Sequence, residues 1–255
     1  MADMEIASLV AYCDQLLEAA IGGDYGPNGL QVEGTRPVRK LVTGVSASVE
    51  LFERAAELDG DVVLVHHGIL WDAAAAAPLT GFRYRRVARL LAAGMHLVAY
   101  HLPLDRHPEI GNNVLAAKGL GLYALEPFAE HRGMPIGFRG RYPEPIAPAA
   151  FVDRCRELFG REPLAFFHGP DPIATVGVVT GGAQSDLYGA IAAGLDAFVT
   201  GEVSEWVLQV ARESRIHFLA CGHYATETLG IRALGEHLAG RFGLEHEFVD
   251  LPNPV

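Results

Sequence analysis

The sequence predicts an α/β protein of two related lobes, with mainly parallel or mixed sheets flanked by helices. Two observations carry that expectation. Short apolar, β-branched runs (LVTGVSA, 41–47; VVLVHHG, 62–68; HLVAYH, 96–101) alternate with helical stretches at about Val49 to Leu58 and Arg86 to Ala93, the pattern of parallel strands joined by crossover helices. The second half also echoes the first. LVTGVSASVELFERAAELDGDVVLVHHG aligns with VVTGGAQSDLYGAIAAGLDAFVTGE, setting Thr43-Gly44 over Thr180-Gly181 and His66 nearly over Glu202. RRVARLLAAGMHLVAYHLPLD then aligns with LQVARESRIHFLACGHYATE, so that HLPLD falls over GHYATE.

The elements follow in order. Ile6, Leu9, Val10, Cys13, Leu16, Leu17 and Ala20 recur at helical spacing, predicting an amphipathic helix from about Glu5 to Ala20 that stops at Gly22-Gly23. YGPNGLQVEG (25–34) is turn-rich. The proline- and glycine-rich stretch from about Pro127 to Pro172 is expected to hold the lobe junction, a few strands and one helix near Ala149 to Phe159. The boundary expected is an N-terminal lobe of residues 1–126 and a C-terminal lobe of 127–255, interlocked as one unit.

Composition narrows the function. With 255 residues and half of them hydrophobic, the chain can bury a sizeable core. A formal net charge of −11 disfavours sequence-independent attraction to nucleic acid or to an anionic membrane. Cys13, Cys155 and Cys221 are odd in number and far apart, giving neither a disulfide framework nor a zinc ribbon, and a reducing cytoplasm is the expected location. The first twenty residues have no basic start and no apolar block of a signal peptide, and no apolar run is long enough for a membrane span.

Three strand ends carry metal-type donors. In a parallel α/β sheet, ligands collect outside the carboxyl ends of the strands, where this chain places His66 and His67, then HLPLD with Asp105, then GHYATE with His223 and Glu227 at i, i+4. Neighbouring side chains of a strand point to opposite faces, so both imidazoles of VHHG reach one site only if the chain is already turning, which Gly68 permits. Each motif alone also has a plain reading as packing, a cap or a solvated helix face. Together they supply nitrogen and oxygen ligands suited to divalent transition metals. Five ligands exceed what one catalytic zinc normally takes, so two divalent metal ions are expected, with zinc, iron, manganese, cobalt and nickel not distinguished. Two dications against two carboxylates leave a positive centre in an acidic molecule. That centre favours an anionic substrate such as a phosphate ester or nucleotide, and metal-assisted hydrolysis.

Further residues flank these motifs. His101 is a candidate general acid or base, or an orienter of Asp105, and Glu202 is a candidate base or outer partner of the metals. Asn112-Asn113 reads as a substrate contact or a helix-start cap, and Cys221 as core packing. Trp206 and Tyr224 read as core or as a base-stacking pair.

VHHG, HLPLD followed by EIGNN, GEVSEW and GHYATE, in this order after an early NGLQVEG, resemble the Nif-three-like family, often labelled GTP cyclohydrolase I type two homologues. The resemblance runs from about Asn28 to the C-terminal helix. It implies two related lobes with a dinuclear metal centre between them, a toroidal hexamer, and His66, His67, Asp105, His223 and Glu227 as ligands. Hydrolytic opening of the guanine ring of GTP is suggested for some members, while others are known mainly as metal-binding proteins. The long inserted domain of some relatives is missing here.

Overall fold

A computed structural model describes residues 4–21, 23–72 and 77–255. Its elements are α1 (Ile6–Leu16), β1 (Gly29–Val32), β2 (Lys40–Ser46), α2 (Val49–Glu57), β3 (Val62–His67), α3 (Gly81–Ala93), β4 (His96–Ala99), α4 (Leu102–Asp105), α5 (Asn112–Gly119), β5 (Tyr123–His131), β6 (Met134–Ile146), α6 (Pro148–Phe159), β7 (Leu164–Phe166), β8 (Ile173–Val178), α7 (Leu187–Ala192), β9 (Ala197–Thr200), α8 (Val207–Ser214), β10 (His217–Ala220), α9 (His223–Thr226), α10 (Thr228–Phe242) and β11 (Glu245–Phe248). The first helix ends earlier than the Gly22-Gly23 stop that the sequence suggested, and Gly22 lies outside the described residues.

The chain forms two compact units. One comprises Met1–Leu104 with Ile231–Leu251, the other Asp105–Gly230 with Pro252–Val255. The division therefore falls at 104/105 rather than at 126/127, because the β5–β6 hairpin pairs with β8 and takes the segment leading into it along. The C-terminal strand also returns to the first unit, where β11 pairs parallel with β2.

The first unit is a five-stranded sheet of order β1-β4-β3-β2-β11. Its strands β11, β2, β3 and β4 are parallel, and β1 closes the edge antiparallel to β4. Val42, Val63, Val65, Leu97 and Ala99 pack on one face with Leu51, Phe52 and Ala55 of α2 and Leu90 of α3. Leu41, Leu64 and Val98, pointing the other way, are equally buried. Burial on both faces explains why these strands read as continuous apolar runs.

The second unit is a six-stranded mixed sheet of order β5-β6-β8-β9-β10-β7. Strands β8, β9 and β10 are parallel. Ala197, Val199 and Leu219 face a core shared with Phe151 and Cys155 of α6, while Phe198 and Phe218 face one shared with Leu187 of α7 and Val207 of α8. This is the period-two alternation of a strand covered on both sides.

The internal echo extends to the hydrogen bonding. Asp61, just before β3, accepts at one carboxylate oxygen from the amides of Arg39 and Lys40, both at 3.0 Å. Asp196, just before β9, does the same for Ala174 and Thr175 at 2.9 and 2.8 Å. His96 opens β4; its Nδ1 accepts from Gly34 N at 2.9 Å and its Nε2 donates to Arg36 O at 2.9 Å. His217 opens β10; its Nδ1 accepts from Gly169 N at 3.3 Å and its Nε2 donates to Pro170 O at 2.8 Å. Each unit thus carries an equivalent aspartate and an equivalent buried histidine, bracing the amino ends of its parallel strands.

Candidate functional site

The three motifs that supply metal-type donors lie at the carboxyl edges of parallel strands. His66 and His67 end β3, HLPLD follows β4, and GHYATE follows β10. Each unit holds its own set of donors.

In the first unit, His66 is fully buried and His67 partly so, and their ring centroids are 4.7 Å apart. The strand is ending at that point: Ser46 is the register partner of His67, and His67 O already accepts from Ala47 N at 2.8 Å. Gly68 serves this corner by leaving space. A Cβ there would stand 2.3 Å from Oε1 of Gln31, the oxygen that receives the Ile69 amide at 2.8 Å. His101 comes within 5.0 Å of His66 and 5.5 Å of His67, centroid to centroid. One ligand atom from each of the three lies within 4.8 Å of the others, so the trio can hold a metal ion.

The hydrogen bonds fix how these rings are presented. Nδ1 of His66 donates to the carbonyl of Tyr100 at 2.9 Å, Nδ1 of His101 donates to Asp24 at 2.7 Å, and Nδ1 of His67 is 3.0 Å from Oγ of Ser46. A carbonyl and a carboxylate only accept, so His66 and His101 carry the proton on Nδ1 and the lone pair on Nε2. An imidazole anchored in this way is the usual form of a metal ligand. His96 shows the opposite arrangement, with Nδ1 accepting, and is a structural residue. Burial raises the carboxyl of Asp24, but the hydrogen bond and charge of His101, helped by Asn28 and the Tyr25 amide, outweigh it and bring the group down to about 2.

In the second unit, His223 and Glu227 bracket one short turn. Nε2 of His223 is 3.2 Å from Oε2 of Glu227, and Nδ1 donates to Oε1 of Glu202 at 2.6 Å. Burial pulls His223 down, yet Glu227 and then Glu202 together raise it to about 9. Glu227 is 3 % exposed, and the turn at Gly181 makes room for it. Gly181 has φ +71°, and a Cβ there would stand 2.2 Å from Oε1 of Glu227. Asp105 is buried too; Asn112 donates to it from Nδ2 at 2.9 Å and accepts the Gly230 amide at 2.7 Å. Asn113 accepts the Thr180 amide at 2.6 Å. The two asparagines therefore brace Asp105 and its loop, instead of capping α5, whose N-cap is Gly111.

The donor set fits a divalent transition metal: imidazoles anchored at Nδ1, buried carboxylates, and a glycine cradle that any larger residue would fill. Cys221 lies in the apolar core beside Cys155 and is not one of these donors. Trp206 stacks on Tyr188 at 5.1 Å, and the amide of Tyr224 donates to Val255 O. Sequence reasoning missed Asp24, Asn28 and Gln31, which lie in or beside the turn-rich YGPNGLQVEG stretch and act on residues far away in the chain.

Known proteins match over almost the whole length. The profile of the Duf34/NIF3 family (NGG1p interacting factor 3) covers residues 4–254. A Pseudomonas aeruginosa protein named GTP cyclohydrolase 1 type 2 homolog is 48 % identical over 98 % of each chain. Among solved structures, protein ybgI, titled as of unknown function, superposes with a TM-score of 0.93 at 41 % identity, covering 99 % of this chain and 100 % of that one. A Thermus thermophilus protein, TTHA1606, gives 0.91 at 37 % identity, with the same coverage.

Proposed function

Since this chain belongs to the Duf34/NIF3 family and presents anchored metal-type donors, we propose that it is a dinuclear metal-dependent hydrolase acting on a nucleotide or other phosphorylated small molecule. Opening of the guanine ring of GTP is the candidate reaction, in keeping with the name its relatives carry. The ligands in this reading are His66, His67, Asp105, His223 and Glu227. The observation that carries it is the shared anchoring of His66 and His223, whose Nδ1 atoms donate to Tyr100 O and Glu202, making Nε2 the nitrogen that can ligate.

Bound divalent metals would lower the pKa of water to near neutrality and polarise the group attacked. Asp105 and Glu227 would balance part of the metal charge, and the positive remainder would draw an anionic substrate into an acidic protein. Glu202 orients His223. Asn112 orients Asp105 through its 2.9 Å hydrogen bond. The resemblance to the family supports a toroidal hexamer as the working form, which light scattering after gel filtration tests.

One observation favours a second reading, a metal-binding assembly or regulatory protein without chemistry of its own. His101 and Glu202, the two candidates for proton transfer, are each committed to a carboxylate–imidazole pair. Metal content per chain and turnover of a nucleotide panel, read as formate and phosphate release, separate the two. Two metals with turnover lost in Asp105→Ala support the hydrolase; two metals with no turnover leave the assembly protein; absence of metal overturns both.

A further inference from the structure

We propose that the carboxyl end of β8 forms a phosphate-binding corner within the second unit, in which His131, held by Asp186, meets the anionic group of a nucleotide. The proposal rests on the hydrolase reading above and deepens it by naming residues that would take the phosphate.

Topology is the first support. Strand β6 runs antiparallel to β8, and Phe138 faces Val178, the last residue of β8. Met134, four positions before Phe138 and paired with His131, therefore lies about 13 Å further out, at about 3.3 Å per residue. The tip of the β5–β6 hairpin overhangs the strand edge that carries Glu202, His223 and Glu227. Asn113 fastens it there: Nδ2 donates to Ile136 O at 2.7 Å, while Oδ1 accepts the Thr180 amide at 2.6 Å.

The pairing of His131 is the second. Its Nε2 donates to Oδ2 of Asp186 at 2.9 Å, and the two side chains are 23 % and 15 % exposed. Asp186 ends the single turn Gln184–Asp186 that follows β8, so the imidazole is drawn down onto the strand end. Asp186 occupies Nε2 and leaves Nδ1 for a ligand. The hydrogen bond to Asp186 lifts the ring above its ordinary value against burial, and the charges of Asp186 and then Asp105 add to the lift. A protonated ring offers Nδ1–H to a phosphate oxygen. Arg132 follows at the exposed tip, so the hairpin brings two basic residues to this edge of an acidic chain.

Orphaned polar atoms are the third. Thr180 Oγ1, on a residue 6 % exposed, and Gln184 Oε1 are buried with no hydrogen-bond partner among the described residues. Both lie in the short stretch between β8 and Asp186, and Gln184 is already fixed through Nε2, which donates to Ser204 Oγ at 3.2 Å. Buried groups of this kind are met by a ligand or by ordered water. A nucleotide supplies both partners, a phosphate oxygen for the Thr180 hydroxyl and a sugar hydroxyl for the Gln184 oxygen. Gly182 joins this corner to the donors already described. A Cβ there would stand 3.6 Å from Oε1 of Glu202 and from the ring of His223.

The test uses GTP and inorganic phosphate as probes on the zinc-treated full-length protein, read by calorimetry and by ¹⁵N NMR of the imidazoles. Variants are His131→Gln, Asp186→Asn and Thr180→Val; far-UV circular dichroism and zinc content confirm that each is folded and loaded like the wild type. Expected are a saturable shift of the His131 ring signals with either probe, and GTP binding weakened roughly 10- to 100-fold in His131→Gln and Asp186→Asn. Thr180→Val should weaken GTP in the same direction. GTP binding with the His131 signals unmoved and all three affinities unchanged overturns this inference and leaves the hydrolase reading standing. Loss of zinc in His131→Gln or Asp186→Asn also overturns it, by assigning the pair to the metal. Wild-type protein that binds zinc but neither probe overturns both.

Discussion

Nδ1 of His223 donates to Oε1 of Glu202 across 2.6 Å, linking the strand end that follows β9 to the one that follows β10. The carboxylate fixes the ring proton on Nδ1 and so sets which nitrogen a metal meets. Glu202→Gln keeps the shape and removes the charge, and should weaken metal binding by roughly 10- to 100-fold while barely altering the thermal melt of the metal-free protein. Competition against a chelator of known affinity reads this directly. Unchanged affinity would show that Glu202 does not act through His223.

Gly181 offers a steric test of the same corner. Alanine there must adopt a left-handed backbone and place a Cβ 2.2 Å from Oε1 of Glu227. The backbone alone costs about 1–2 kcal/mol, and Glu227 must move as well. Gly181→Ala should lower the denaturation midpoint and reduce metal uptake together. Gly240→Ala, on α10 with nothing within 4 Å of the added Cβ, should be neutral or stabilising.

His96 and His217 ought to behave unlike the site histidines. Both are buried, and both bridge a glycine amide to a backbone carbonyl. Replacing either by alanine strands two backbone groups and should cost about 2–4 kcal/mol, with metal stoichiometry unchanged in whatever fraction remains folded. Loss of metal without loss of stability would assign them to the site instead.

A pH effect is expected at His131, whose Nε2 lies 2.9 Å from Asp186 Oδ2. The hydrogen bond to Asp186 raises the imidazole above its ordinary value, against the opposing effect of burial. Because the folded-state value is the higher one, the contribution is complete below about 6.5 and disappears as pH rises through the raised value. Urea midpoints of wild type and Asp186→Asn should therefore differ most at about pH 5–6 and converge on the alkaline side. A gap that widens with pH would contradict the pairing.

Much of the candidate site was legible because the donors proposed as ligands sit at the ends of apolar strands, where a polar residue interrupts an obvious pattern. VHHG, HLPLD and GHYATE are all of this kind, and the echo between halves foretold the matched β2–β3–β4 and β8–β9–β10 sheets. What stayed hidden depends on contacts between distant residues. Asp24 reaches His101 across 77 positions, and nothing in YGPNGLQVEG marks its neighbourhood off from turn chemistry. Asn112 and Asn113 look like a helix start, and only the fold shows their amides turned onto Asp105 and Thr180. The two roles of histidine were equally opaque: His96 and His101 both flank β4, and the partner of Nδ1, a donor for one and an acceptor for the other, separates them.

The pairing of β11 with β2 bears on the order of events at the ribosome. Residues 40–46 emerge before any strand of the second unit, yet their outer neighbour, residues 245–248, is made only after all of them. Throughout that interval one flank of β2 is therefore an unprotected template for other extended chains. Domain-by-domain folding during translation can complete the second unit's sheet first, although it is encoded later than most of the first. A nascent chain stalled before residue 245 would present this open flank to chaperones.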